Sequence, residues 1–198
     1  MRQGGPHREL LNALERELIQ ISYRWKVFCQ LYDSGEANVA LLNKSGSNVF
    51  ALLQKLLIDD LMLGLCRLAD PSRSMNKENA SLHNLIEKLD EHLSESSKQI
   101  IQTKQTELQA HLKKVKVLKN KAMSHADLTH ALDTALLPRP TYDELEGALA
   151  AAKDILREIT GRVYDYSSDY VPHIPAGRDG EKLLRVLAKA HGEKQLGG

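Results

Sequence analysis

The stretch Asn48-Val49-Phe50-Ala51-Leu52-Leu53-Gln54-Lys55-Leu56-Leu57-Ile58-Asp59-Asp60-Leu61-Met62-Leu63-Gly64-Leu65-Cys66-Arg67-Leu68-Ala69 decides the fold. It is the longest apolar-rich run in the chain, and it shows no alternation of polar and apolar residues that would mark a strand. Gln54, Lys55, Asp59, Asp60 and Arg67 interrupt it, so it is too charged to span a bilayer. It reads as a helix that is apolar over much of its circumference. Such a helix belongs at the centre of a bundle or under a second subunit.

Working outward, the same helical period recurs. Leu11, Leu14, Leu18, Ile21, Trp25 and Phe28 mark one face of a helix over residues 8–32, ended by Asp33-Ser34-Gly35. A short helix through Val39 to Leu42 follows, and Ser45-Gly46-Ser47 either breaks or bends the pattern. Pro71 stops the long helix, and Asp70 to Asn79 read as a polar loop. Ser81 is an N-cap for a short helix through Leu82, Leu85, Ile86 and Leu89. Ser94 or Ser96 opens another helix, with Ile101, Leu108, Leu112 and Val115 on one face, expected to reach at least Ala122. Thr141 and Glu144 form a capping-box pattern for a helix carrying Leu145, Leu149, Ala152, Leu156, Ile159 and Val163. A last helix runs through Leu183, Leu184 and Leu187.

The expected fold is therefore all-α, an antiparallel helical bundle with a short C-terminal helical appendage. The predicted organisation is a bundle over residues 1–166, with a loop and helix over 167–198 packed on it. With 198 residues and 42% hydrophobic content, the chain is large enough for one domain with a real core. Its net charge of +1 demands neither nucleic acid, nor a membrane, nor an acidic substrate. Cys29 and Cys66 fall among apolar helical residues and read as free thiols in a reducing compartment. No signal-peptide pattern opens the sequence, and a soluble, cytoplasmic protein without membrane association is expected.

Three charges stand where apolar residues are expected. Asp60 lies within the stripe Val49, Leu53, Leu56, Leu63, and Arg67 lies about 20° away around the helix, about 10 Å along it. Lys119 continues the inward stripe of Leu108, Leu112 and Val115. A charge facing a core is costly unless paired or hydrated. Either these residues satisfy partners or snorkel at helix ends, or they flank a polar cleft in which they are used. Lys119 is a candidate partner for Asp60, and Asp70 for Arg67.

The chemically richest segment is Lys119-Asn120-Lys121-Ala122-Met123-Ser124-His125-Ala126-Asp127. It gathers a cation, an amide and an imidazole, the groups needed to hold a phosphate and move a proton beside it. An imidazole titrating near about 6.5 suits general acid or base work. In a straight helix, however, positions 119 and 125 face about 120° apart. Lys113, Lys114, Lys116, Lys119 and Lys121 surround the segment, either as a solvated face or as an RNA-backbone footprint.

Here the chain resembles HEPN domains ("higher eukaryotes and prokaryotes nucleotide-binding"), whose signature is Arg-Asn-x-x-x-x-His at the end of a long helix of an all-α domain. It looks most like the branch related to the abortive-infection protein AbiU. The similarity also runs through Trp25 to Tyr32 and from Leu41-Leu42-Asn43 through Asp59-Asp60 to Leu65-Cys66-Arg67-Leu68-Ala69-Asp70-Pro71. Active members are metal-independent endoribonucleases that work as homodimers, with two copies of the motif meeting at the interface. The resemblance implies that His125 is the general acid or base on the ribose 2′-hydroxyl or the leaving oxygen, and that Asn120 orients the imidazole or the phosphate. It implies that Lys119 carries the cation that stabilises the phosphate in the transition state. Arg67, Asp60, Lys121 and Lys116 then support the site or bind phosphate. No metal or other cofactor is implied. RNA is the implied ligand, and an antitoxin or other defence protein is a candidate partner. Position 119 is Lys where the family has Arg, which keeps the charge and loses the bidentate fork. The alternative is a catalytically inactive dimeric helical module binding RNA, nucleotide or a partner protein.

Two further constellations have other readings. His125, Asp127 and His130 could be metal ligands, although the five-residue spacing does not align the histidines on one helix face. Tyr164, Tyr166, Tyr170 and His173 either stack on bases or pack the returning tail onto the bundle. There is no Walker loop and no GxGxxG.

Overall fold

The computed structural model describes residues 7–120, 139–175 and 177–192. The fold is all-α, and among the described residues the only strands form one minute hairpin. The helices are α1 (Arg8–Tyr32), α2 (Glu36–Leu68), α3 (Leu82–Lys88), α4 (Glu95–His111), α5 (Lys113–Leu118), α6 (Tyr142–Val163) and α7 (Gly180–Ala190). Strands β1 (Arg73–Ser74) and β2 (Lys77–Glu78) pair antiparallel in the segment read as a polar loop. Two residues per strand are too few to show a period, so nothing in the sequence could reveal them. Met75 and Asn76 between them both have positive φ, 49° and 63°, as a two-residue hairpin turn of the right-handed twist requires.

The segment over 36–68, labelled α2 throughout, is two helical stretches joined at a kink. Gly46 leaves helical geometry with φ 165° and ψ 69°, and the helix resumes on either side. The helix expected to reach at least Ala122 is instead interrupted at Leu112, whose φ of −85° and ψ of 0° separate α4 from α5. Leu112 is fully buried there, and its N–H still reaches Leu108 O at 3.0 Å. The chain turns to follow the core without losing that bond.

Two compact units emerge. One comprises residues 1–21 and 62–170, the other 22–61 and 171–198, so the division falls inside both α1 and α2. In the first unit, Leu11, Leu14 and Leu18 of α1 are buried with Leu65 and Leu68 of α2, Ile101 and Leu108 of α4, and Leu149, Ile155, Leu156 and Ile159 of α6. α4 packs along α6. Where α1 meets α2, the side chain of Ile21 occupies the space above Gly64, so that a Cβ at 64 would stand 2.9 Å from Ile21 Cγ1. In the second unit, Leu184 and Ala188 of α7 pack on Leu31, Leu41 and Leu42. Gln30 closes the start of α7, accepting from Gly180 N at 3.1 Å and donating to Asp179 at 3.2 Å.

The helix starts follow the sequence signals. Ser81 caps α3 by accepting from Asn84 N, and Ser94 caps α4 by accepting from Ser97 N. Thr141 and Glu144 form the complete reciprocal capping box of α6, at 3.2 and 2.8 Å. Thr141→Ala should lower stability by about 1 kcal/mol, measured by denaturant titration. Lys114 donates to Glu144, and with the Thr141 backbone it holds that carboxyl below the usual range. A depressed carboxylate stabilises the fold above its unfolded pKa and loses that contribution as pH falls through the folded value. Glu144→Gln should therefore flatten the acid limb of a melting-temperature profile; an unchanged limb would refute this.

Candidate functional site

The motif begins where α5 ends. Lys119 and Asn120 continue α5 in a π-helical turn, a wider turn that recurs at functional sites. Asn120 is exposed and Lys119 half-buried. Lys121, His125, Asp127 and His130 lie outside the described residues.

The end of α2 meets this turn. Lys119 Nζ donates to Asp70 Oδ1 at 3.3 Å. Lys116 donates to Gln109 Oε1, and Gln109 Nε2 donates to Ala69 O at 3.4 Å. Two cations are thereby drawn to the carbonyl end of α2, where the helix dipole favours them. Buried Cys66 lies within their field. Burial pushes its thiol pKa up, Lys119, Lys116 and Arg67 pull it down, and Asp70 opposes them. The net shift is upward, so Cys66 is a neutral thiol, and Cys29 is likewise free of any disulfide.

The inward charges pair differently from the sequence expectation. Asp60 takes Arg24 of α1, at 2.5 Å. Arg67 takes Glu17 of α1, at 2.6 Å, rather than Asp70. Asp70 takes Lys119. Each partner comes from a segment distant in the sequence, which helical periodicity does not reveal. All three pairs are partly exposed, so each contributes modestly to stability. The structure therefore brings Lys119, Lys116, Asp70 and Gln109 together at the end of α2. Asp60 belongs to the other compact unit, with Arg24.

The lysine run is largely engaged. Lys114 pairs with Glu144 at 2.8 Å, Lys116 with Gln109 and Lys119 with Asp70. Among the described lysines of the run, Lys113 alone is exposed without a partner. Asp70 and Gln109 are the site residues that sequence reading missed as partners of these lysines. The only signal was the position of Asp70 just past the end of the apolar run.

The tyrosines after α6 serve packing. Glu15 Oε1 accepts from Tyr166 at 2.6 Å and from Tyr170 at 3.2 Å. The Arg8 guanidinium lies 5.1 Å from the Tyr164 ring centre and 5.0 Å from that of Tyr166. Tyr170 is 2% exposed, which leaves it no face for a base. Burial and the Glu15 carboxylate push both bonded phenols well above their ordinary range. Glu15→Leu should cost about 2 kcal/mol by leaving two phenols unpaired. A denaturation midpoint equal to that of wild type would contradict the assignment.

Among the described residues, no group of three or more His, Cys, Asp or Glu is placed to hold a metal ion. No described helix is long and apolar enough to cross a membrane.

The AbiU2 model of HEPN domains matches residues 6–183. The chain belongs to the AbiU2 family of HEPN domains. The match covers nearly the whole sequence, including both compact units and the Lys-Asn-x-x-x-x-His segment. No curated protein and no solved structure matches. Membership makes the chain an abortive-infection-related HEPN module. In this member the cation of the motif is Lys119, and it stands in an ion pair with Asp70.

Proposed function

We propose that the protein is a metal-independent endoribonuclease of HEPN type, acting as a homodimer in defence or in toxin-like RNA cleavage. The observation that carries the reading is the Lys119-Asn120…His125 motif beginning in a π turn against the end of α2, in a chain of the AbiU2 family. In the proposed reaction His125 takes the proton of a ribose 2′-hydroxyl, which attacks the adjacent phosphorus. The bond to the 5′ oxygen breaks, and a protonated imidazole, from the same or the second copy, returns the proton to it. Asn120 orients the phosphate or the ring. Lys119, swinging from Asp70, meets the charge that grows on the phosphoryl oxygens. Lys116, Lys121 and Arg67 add positive potential, and Asp60 supports the scaffold through Arg24.

The test is cleavage of single-stranded RNA and tRNA with and without EDTA, from about pH 5 to about pH 8. Cleavage unaffected by chelation is expected, and none at any pH would sink the proposal. A second reading, a dimeric module that binds RNA, nucleotide or a partner without cutting, is favoured by the replacement of Arg with a lysine already neutralised by Asp70. Lys119→Arg separates the two. A rise in cleavage fits a weakened enzyme; no cleavage in either protein fits the module. An antitoxin or other defence protein is proposed as a partner of either form.

A further inference from the structure

We propose that the cleft between α1 and the loop after α6 binds a small organic monocarboxylate, gripped by Arg16. The cleft, about 590 Å³, lies within the first compact unit, between one face of α1 and residues 166–170. Small-ligand clefts span roughly 300 to 1,000 Å³. Asn12, Arg16 and Ile19, spaced four and three apart, line it from within about 60° of one another on the helix. Tyr166 and Ser167 line it from the loop. That loop is fixed before any ligand arrives. Arg157 donates to Ser168 O at 3.3 Å and to Asp169 O at 3.2 Å. Tyr166 N donates to Thr160 O at 3.2 Å, and Tyr170 N to Ser168 Oγ at 3.3 Å. These bonds hold Asp165 and Tyr170 at φ 56° and 50°, a left-handed conformation that residues with side chains rarely adopt. Backbone held in such a conformation by its surroundings recurs at ligand clamps.

The unspent groups of the cleft are donors. Among the described residues Arg16 makes no ion pair, and neither the Asn12 amide nor the Ser167 hydroxyl makes a hydrogen bond. The carboxylate that lines the cleft, Glu15, is already employed, because its Oε1 accepts from both Tyr166 and Tyr170. The ligand must therefore bring acceptors. A guanidinium offers two parallel N–H groups that match the two oxygens of a carboxylate. A single unpaired cation beside Glu15 selects a single negative charge, since a phosphate monoester of about −2 would meet the Glu15 carboxylate as well. Arg8, whose guanidinium lies 5.0 Å from the Tyr166 ring centre, adds positive potential on the same loop. Ile19 and the Tyr166 ring give the body of the ligand an apolar wall. The Lys119 to His125 motif takes no part, so this site and the ribonuclease chemistry are tested separately.

The experiment is a titration of the isotope-labelled full chain with benzoate, followed by NMR. Saturable shifts at Asn12, Arg16 and Ser167 are expected, with a dissociation constant on the order of 1 mM. Benzamide, the neutral isostere, and inorganic phosphate should each bind at least about 10-fold more weakly. Arg16→Leu should weaken benzoate binding by at least about 10-fold at an unchanged melting temperature, because the side chain is exposed. Arg16→Lys keeps the charge and loses the fork, and should fall between the two. No saturable shift up to about 20 mM benzoate would overturn the proposal. So would benzamide or phosphate binding as tightly as benzoate, or a folded Arg16→Leu that binds like wild type. Should Arg16→Leu melt early, Arg16→Lys decides, and benzoate binding equal to that of wild type would overturn the assignment.

Discussion

Replacing Gly64 by valine is expected to lower stability by about 2 kcal/mol, which for a chain of this size is roughly 6 °C in melting temperature. The cause is local. A Cβ at position 64 would stand 2.9 Å from Ile21 Cγ1 and 3.0 Å from Ile21 Cδ1, and Ile21 is fully buried. The neighbouring side chain cannot swing into solvent, so the helices must separate. Glu17 Oε1 lies 3.4 Å from the same point, and Glu17 holds Arg67 one turn further along α2. Separation would stretch that pair as well. Valine has better helix propensity than glycine by only a few tenths of a kcal/mol, too little to offset the clash. Alanine should be milder, since its single methyl asks for less movement and its propensity gain is about 1 kcal/mol. The double variant Gly64→Val/Ile21→Ala should be more stable than the sum of the two single losses, because the cavity left by one change receives the other. A Gly64→Val protein that melts with wild type would show that α1 and α2 do not meet closely at this point.

His125→Ala should reduce RNA cleavage by at least about 100-fold, the second large effect. On the proposed mechanism His125 moves the proton at the attacking or the leaving oxygen, and no other imidazole lies within the motif. The loss should fall on turnover more than on RNA binding, because the phosphate contacts come from Lys119 and its neighbours. His125→Ala should still bind RNA, and Lys119→Ala should bind it more weakly with a shallower salt dependence. The wild-type rate should be greatest where imidazole and imidazolium coexist, near about pH 6.5. Equal cleavage by wild type and His125→Ala would remove the histidine from the reaction and assign the activity to a contaminant or to another site.

The fold was legible because helices announce themselves locally. The stripe of α1, the capping box of Thr141 and Glu144, and the caps at Ser81 and Ser94 all depend on residues within a turn or two of one another. The site was legible only as a motif. Lys119 was recognisable as a cation on an inward stripe, but its partner Asp70 lies 49 residues away. Arg67 and Glu17 are 50 apart, and Asp60 meets Arg24 from a different helix. Pairing of that kind depends on how helices cross, and side-chain periodicity carries no information about crossing. The break at Leu112 belongs to the same class, since the residues around it are ordinary helix formers and only the core they must follow makes them turn.

By itself, then, the sequence determined an all-α chain, the ends of most of its helices and the family to which it belongs, and it singled out the segment proposed to carry its chemistry. These follow from local propensity, period and capping, which act over a few residues. Tertiary structure alone decided that the α2 charges are paired rather than gathered, that the lysine run is mostly engaged, and that the tyrosines close on Glu15. It also decided that four apolar residues of the opening segment, Val49, Leu52, Leu53 and Leu56, face outward. Burial is a property of what the rest of the chain covers, and no window of sequence contains that.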